Sequence, residues 1–191
     1  MDEVARTRTV YESNSDAFVD KYRTESIAAL LGEEFFDALA GSRVLDVGCG
    51  PGSDSETFAD RGFSVTGLDV TPSFLGSARE NVPDGSFVQG DMRNLPFADG
   101  AFDGVWACAS LLHVPRGDAP AALSEFRRVL VDGGAVYCSL KRGEESGFDE
   151  DGRYFERYTG DEVTSLLADA AFTPVSVKTS ERWVNAVAVA E

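Results

Sequence analysis

The stretch Val44-Leu-Asp-Val-Gly-Cys-Gly-Pro-Gly52 sets three glycines at alternate positions behind an apolar run that holds one acid, Asp46. An apolar run followed by glycines reads as a buried strand ending in a tight turn. A plain strand-to-helix turn needs one or two glycines and rarely three. Gly48, Gly50 and Gly52 together therefore point to a ligand that touches the main chain directly. A dinucleotide site of the form G-x-G-x-x-G, counted from Gly48, would want a glycine at position 53, where the chain has Ser53.

Outward from this turn, strand-like and helix-like pieces alternate. Residues 5–40 read as helical, with Phe18, Tyr22, Ile27, Leu30, Leu31, Phe35 and Leu39 near helical spacing. Strands are expected at 43–48, 63–69, 86–89, 102–108, 134–140, 172–180 and 182–190, and helices at 53–61, 72–81, 119–130 and 160–170. Thr71 before Pro72 reads as an N-cap with proline at the first helical position. Thr159 with Glu162 reads as a capping box, and Asp132-Gly-Gly134 as a helix stop or tight turn. This order predicts an α/β fold: a Rossmann-like, doubly wound, seven-stranded sheet, mostly parallel, with helices on both faces. The last strand is antiparallel, because 172–180 and 182–190 are joined too tightly for a crossover helix. Ligands of such sheets lie beyond the carboxyl ends of the strands, where the strand order reverses.

At 191 residues and 43% hydrophobic content, the chain suits one domain with a real core. Its N-terminus has no apolar run of the signal-peptide type, and no segment approaches a membrane-spanning length, so a soluble, cytoplasmic protein is expected. Cys49, Cys108 and Cys138 are widely spaced in apolar or Gly-rich contexts and read as reduced packing residues rather than metal ligands. The net charge of -16 repels nucleic acid and anionic membrane. Only Lys21, Lys141 and Lys178 are lysines. Acid excess with arginine in place of lysine also resembles the proteins of salt-loving organisms, in which case the charge reports habitat rather than partner.

Asp46-x-Gly48-x-Gly50-x-Gly52 resembles the first motif of the class I S-adenosylmethionine-dependent methyltransferases, of the small, single-domain type 11/25 kind. Further motifs follow in the family's order. Asp69 ends the second strand in Gly67-Leu-Asp-Val-Thr-Pro72, and Gln89-Gly-Asp-Met-Arg-Asn-Leu-Pro-Phe97 resembles the family's G-D-x-x-x-L-P-F segment. The resemblance covers the chain from about residue 9 onward. It divides residues 1–191 into an N-terminal helical lid (1–40), a cofactor-binding core (41–140) and a substrate-side part with a closing hairpin (141–191).

The resemblance implies S-adenosylmethionine as cofactor, S-adenosylhomocysteine as product, and methyl transfer to a small-molecule nucleophile by a monomer or homodimer. Asp69 would accept the ribose hydroxyls and Asp91 the adenine amino group. Met92 and Val70 would cover the faces of the base, while Cys49 belongs to the glycine turn. The strand-end carbonyls around Ala107 and Cys108 would hold the cofactor's amine, and Asp46 would orient that amine. The segment Thr9 to Tyr22 resembles the family's lid, which makes Tyr11 a cofactor contact and Tyr22 a substrate contact; Phe18 and Tyr22 fit an amphipathic core helix equally well.

His113, the only histidine, is a candidate general base or a loop histidine bonded to a carbonyl. Arg142 and Arg153 could hold an anionic group of the substrate beside Tyr154 and Phe155, or they balance the acids Glu144, Glu145 and Asp149. Trp183 and Asn185 read as core and hairpin residues. Two rival functions stand: a non-catalytic cofactor-binding or partner module, and a nicotinamide-dependent oxidoreductase.

Overall fold

The structure, a computed structural model, describes residues 2–23 and 25–191. Met1 and Thr24, the latter within the expected helical stretch 5–40, lie outside the described residues. That stretch is broken into α1 (Glu3–Ser13), α2 (Ser15–Tyr22), α3 (Ile27–Leu31) and α4 (Glu33–Ala38). Asn14, at φ -128 and ψ 29, turns the chain between α1 and α2. The single apolar stripe does not exist as such: Phe35 is sealed in the core, whereas Leu30 and Leu31 are 57% and 50% exposed.

From there β1 (Arg43–Val47), α5 (Ser53–Asp60), β2 (Ser64–Asp69), α6 (Pro72–Asn81), β3 (Ser86–Gln89) and β4 (Phe102–Cys108) follow. A short 3-10 turn at Leu111–His113 leads to α7 (Ala119–Val129) and β5 (Leu130–Arg142). Then come the short pieces β6 (Gly147–Phe148), β7 (Tyr154–Phe155) and β8 (Arg157–Tyr158), then α8 (Gly160–Asp169), β9 (Phe172–Thr179) and β10 (Trp183–Ala190).

The main sheet runs β3-β2-β1-β4-β5-β10-β9, with β8 paired to β5 beside this path. Strands β1 to β5 pair in parallel, and β10 is antiparallel to both β5 and β9. The expected sheet is therefore present, with the antiparallel strand inserted between its neighbours. Both faces are covered, so the strands are apolar on both sides rather than alternating with polar residues. Leu45, Val105 and Val136 pack under α7 and α8. Their neighbours Val44, Trp106 and Tyr137 face Ala28, Phe35 and Phe58 on the other side. Trp106 and Tyr137, in register on β4 and β5, stack at 3.7 Å.

The local signals fared differently. Thr159 and Glu162 form the capping box. Pro72 does open α6, but Thr71 makes no side-chain cap, and its Oγ1 is buried without a partner among the described residues. The Phe74 N–H donates to the Thr71 carbonyl at 3.2 Å, and the Thr71 N–H to the carboxylate of Asp69 at 2.8 Å. Around Gly133 the pairing of β4 with β5 jumps, so the expected turn is an irregularity inside one long strand. All three cysteines are free thiols.

Candidate functional site

The strand order reverses between β2 and β4 on either side of β1, and a deep cavity opens at the carboxyl ends of these strands. Its floor is the glycine turn. The N–H groups of Gly48 and Cys49 both donate to the Leu68 carbonyl, at 2.7 and 3.1 Å, which stitches the turn to the end of β2. Gly48 sits at φ +73, and a Cβ there would meet Cβ of Ser110 at 2.3 Å. Gly50, at φ +53, is different: a Cβ there would meet nothing within 4 Å, because that face borders the cavity.

Four carboxylates ring this end. Asp46 is 2% exposed and accepts the Ser55 hydroxyl at 2.6 Å. Burial first, and the Asp54 charge next, push its carboxyl well above the ordinary range. Asp54 accepts the Trp106 indole N–H at 2.8 Å, the Ser26 hydroxyl at 2.8 Å and the Ala28 N–H at 2.9 Å. It thereby joins β4, α5 and the start of α3. Asp69 takes the Gly50 N–H on one oxygen at 2.9 Å and the Thr71 N–H on the other, leaving a lone pair on each for a ligand. Burial raises its carboxyl as well. Asp91 lines the cavity while holding a fork from Arg93, whose other donors reach Asp118 at 2.7 Å and Asp2 at 3.1 Å. Arg93 thus ties the loop after β3 to α1 and to the start of α7.

The roof is α1, and its central contact is Tyr11. The Tyr11 hydroxyl lies 2.9 Å from Nε2 of His113, while Nδ1 lies 2.6 Å from the Tyr154 carbonyl. A carbonyl can only accept, so Nδ1 carries the proton and Nε2 accepts from Tyr11. Burial lowers the His113 pKa to about 4, so the ring is neutral at neutral pH with its lone pair engaged. Thr7 Oγ1 accepts the Tyr154 N–H at 2.9 Å, a second tie between α1 and β7.

Arg153 forks onto Asp149 and donates to the Tyr22 hydroxyl at 3.2 Å. Its guanidinium sits 5.2 to 5.7 Å from the ring centroids of Tyr11, Phe18 and Phe155. Beyond it the wall continues with Lys141, whose ammonium lies 3.9 Å over the Trp183 ring.

The whole cavity measures about 440 Å³, the size of a small-molecule site. It gathers Tyr11, Tyr22, Asp46, Gly48, Cys49, Gly50, Asp69, Val70, Asp91, Met92, His113 and Arg153 from the sequence reading. Four anticipated residues fall elsewhere. Gly52 supports the turn at the start of α5 against Ala78. Ala107 is wholly buried one residue before the lining begins at Cys108. Arg142 donates to the Ser180 carbonyl on an exposed edge. The Tyr154 ring turns away toward Phe148, with its hydroxyl on Glu156 at 2.6 Å.

Among the lining residues that the sequence did not single out are Asp54, Lys21 and Lys141, and Trp183 joins them. Trp183 packs against the core as expected and also lines the cavity, at the start of β10 directly opposite Lys141. The scarcity of lysine in so acidic a chain was the one available signal for Lys21 and Lys141. No group of side chains among the described residues is arranged to hold a metal ion, and no helix among them is long and apolar enough to cross a membrane.

Residues 44–134 match the family model described as a methyltransferase domain. Over that span the chain is a methyltransferase domain. The matched span runs from the start of the glycine turn through β4 and α7, and so contains every carboxylate of the floor. A malonyl-[acyl-carrier protein] O-methyltransferase from Pectobacterium atrosepticum is 34% identical over 168 residues, 83% of this chain and 62% of that relative. A demethylmenaquinone methyltransferase from Renibacterium salmoninarum is 41% identical over 99 residues, 52% of this chain and 41% of that one. The chain thus spans less than two thirds of these relatives' lengths. Among solved structures, magnesium protoporphyrin IX methyltransferase from Synechocystis, with bound SAM, superposes at a TM-score of 0.75 with 18% identity. That superposition covers 100% of this chain and 98% of the other, and shows that the methyltransferase domain here has the same fold.

Proposed function

We propose that this protein transfers a methyl group from S-adenosylmethionine to a small-molecule nucleophile by in-line displacement, in the cytoplasm. The observation that carries this reading is one cavity in which the open face of Gly50 and the buried carboxylate of Asp69 meet at the reversal of strand order. The residues fit the cofactor. Asp69 keeps a lone pair on each oxygen for a vicinal diol, and Gly50 leaves room where any side chain would intrude. Asp91 and Met92 lie at the end of β3, where an adenine edge and face would be met. When bound, the sulfonium supplies an activated methyl group with a neutral leaving group.

The chain's own work is placement and exclusion of water. Tyr11, held by His113, and Arg153, held by Asp149, close the roof. His113 has its lone pair committed and its pKa lowered, so its role is to hold Tyr11 rather than to take the acceptor's proton. That suits an acceptor whose nucleophile needs no strong base. Calorimetric titration with S-adenosylmethionine, S-adenosylhomocysteine and NAD, in high and low salt, tests the reading. Binding of the first two without NAD supports it, and binding of NAD alone refutes it. Turnover in an acceptor screen separates an enzyme from a binding module.

A further inference from the structure

The cavity is electrically divided. Its floor, at the ends of β1 and β2, carries Asp46, Asp54 and Asp69, whereas its cations, Lys141, Lys21, Arg153 and Arg8, line it elsewhere, with Glu25 as the lining acid nearest Lys21 in sequence. Two of the chain's three lysines therefore face inward. The third, Lys178, pairs with Glu34 at 2.7 Å on the surface, as lysines of an acidic protein ordinarily do. Arg153 is compensated by Asp149. Lys141 has no such partner: among the described residues no carboxylate forms an ion pair with it, and its ammonium rests on the Trp183 ring. Burial and then Arg182, Arg157, Arg153 and Lys21 all act on it in one direction, lowering its pKa. A half-buried ammonium pressed only by like charge is costly to keep unless an anion meets it there.

Resting on the function proposed above, we propose that Lys141 and Trp183 form an acceptor subsite for a carboxylate borne on a small aromatic or apolar body. The ammonium would pair with the carboxylate, while Trp183 and Phe155 line the space beside it. The single charge of Lys141, set against the Trp183 ring, is matched by a single carboxylate; Arg8, which also lines the cavity, is exposed on α1. Lys141 lies near the end of β5, with β1 and β4 between it and the Asp69 end of β2, which separates this subsite from the place fitted to the ribose.

The test uses the whole chain saturated with S-adenosylhomocysteine, titrated calorimetrically with 4-hydroxybenzoate, 4-hydroxybenzamide and tyramine as anionic, neutral and cationic probes. The anion should bind about tenfold or more tighter than the amide, the worth of a charge-assisted contact. Lys141→Gln should abolish that preference, and Lys141→Glu should turn it toward tyramine, with S-adenosylhomocysteine affinity unchanged in both. Equal binding of the three probes, binding of none, or a preference that survives Lys141→Gln overturns the subsite. A fall in S-adenosylhomocysteine affinity in Lys141→Gln also overturns it, because Lys141 would then hold the amino-acid carboxylate of the cofactor. Failure of S-adenosylhomocysteine to bind the unaltered protein sinks the underlying function as well, an outcome distinct from intact binding without discrimination among the probes.

Discussion

The hydroxyl of Tyr11 and Nε2 of His113 meet at 2.9 Å across 102 positions of sequence, so this bond fastens the roof of the cavity to the 3-10 turn that follows β4. The histidine end of that bond works only while the ring is neutral, since a protonated Nε2 has no lone pair to offer.

This gives a pH prediction with a definite sign. The folded-state pKa of about 4 lies below the ordinary 6.5, so the unfolded chain binds the proton more readily between those values. The stability due to the neutral ring is complete above 6.5 and is lost as pH falls toward 4. Because His113 is the sole histidine, its imidazole resonances can be followed without assignment mutants. They should stay flat from pH 8 to 6 and move near 4; a midpoint near 6.5 would refute the arrangement.

Gly48 and Gly50 separate folding from binding. Gly48→Ala forces both a left-handed alanine and a 2.3 Å collision with Ser110, and should cost about 2–5 kcal/mol of stability in a denaturant melt. Gly50→Ala bears only the conformational cost, about 1–2 kcal/mol, since its Cβ enters open space. It should nevertheless cut S-adenosylhomocysteine affinity more than its stability loss suggests. Equal effects of the two variants on binding and folding would contradict the cavity's floor.

Asp69→Asn replaces an acceptor pair by one oxygen and one amide nitrogen. One of the two backbone donors, Gly50 N–H or Thr71 N–H, must then face another donor. Stability should drop by about 1–3 kcal/mol, the cost of an unsatisfied buried polar group. Cofactor affinity should fall about tenfold or more, because the same oxygens are assigned to the ligand. Wild-type affinity in this variant would remove Asp69 from the site.

Arg153→Met keeps a flexible apolar stem among Tyr11, Phe18 and Phe155 but deletes the fork onto Asp149 and the bond to Tyr22. A roof held less firmly should release ligand sooner. Stopped-flow dissociation of S-adenosylhomocysteine should accelerate about tenfold, with association little changed. An unchanged dissociation rate would show that Arg153 does not fasten the roof.

What the sequence made legible was whatever the backbone itself must satisfy. The spacing of Asp46, Gly48 and Gly50, and the acids closing β2 and β3, stand at fixed distances from strand ends. They could be placed because a ligand near the main chain constrains local residue choice. Trp183 and Lys141 are 42 positions apart and meet only through the register of β10 on β5, which nothing local encodes. Asp54 looked like any acid in a first helical turn; its indole partner on β4 comes from packing across the sheet face. Thr71 lacks the expected cap because the donors it would serve go elsewhere: Phe74 N–H to the Thr71 carbonyl at 3.2 Å and Ser73 N–H to Glu12 at 3.4 Å. Leu30 and Leu31 suited a core stripe by spacing and lost it when the chain broke into short helices.

The chain's two tryptophans occupy opposite optical settings. Trp106 is fully enclosed, stacked on Tyr137 and hydrogen-bonded to Asp54, a fixed surrounding that should leave its emission blue-shifted and indifferent to added solutes. Trp183 lies under an ammonium in the cavity wall, where anything that enters changes its polarity and its exposure to quenchers. The protein therefore carries a built-in pair of fluorophores, one constant and one responsive, and a change in the shape of its emission spectrum should register occupancy of the cavity without any label.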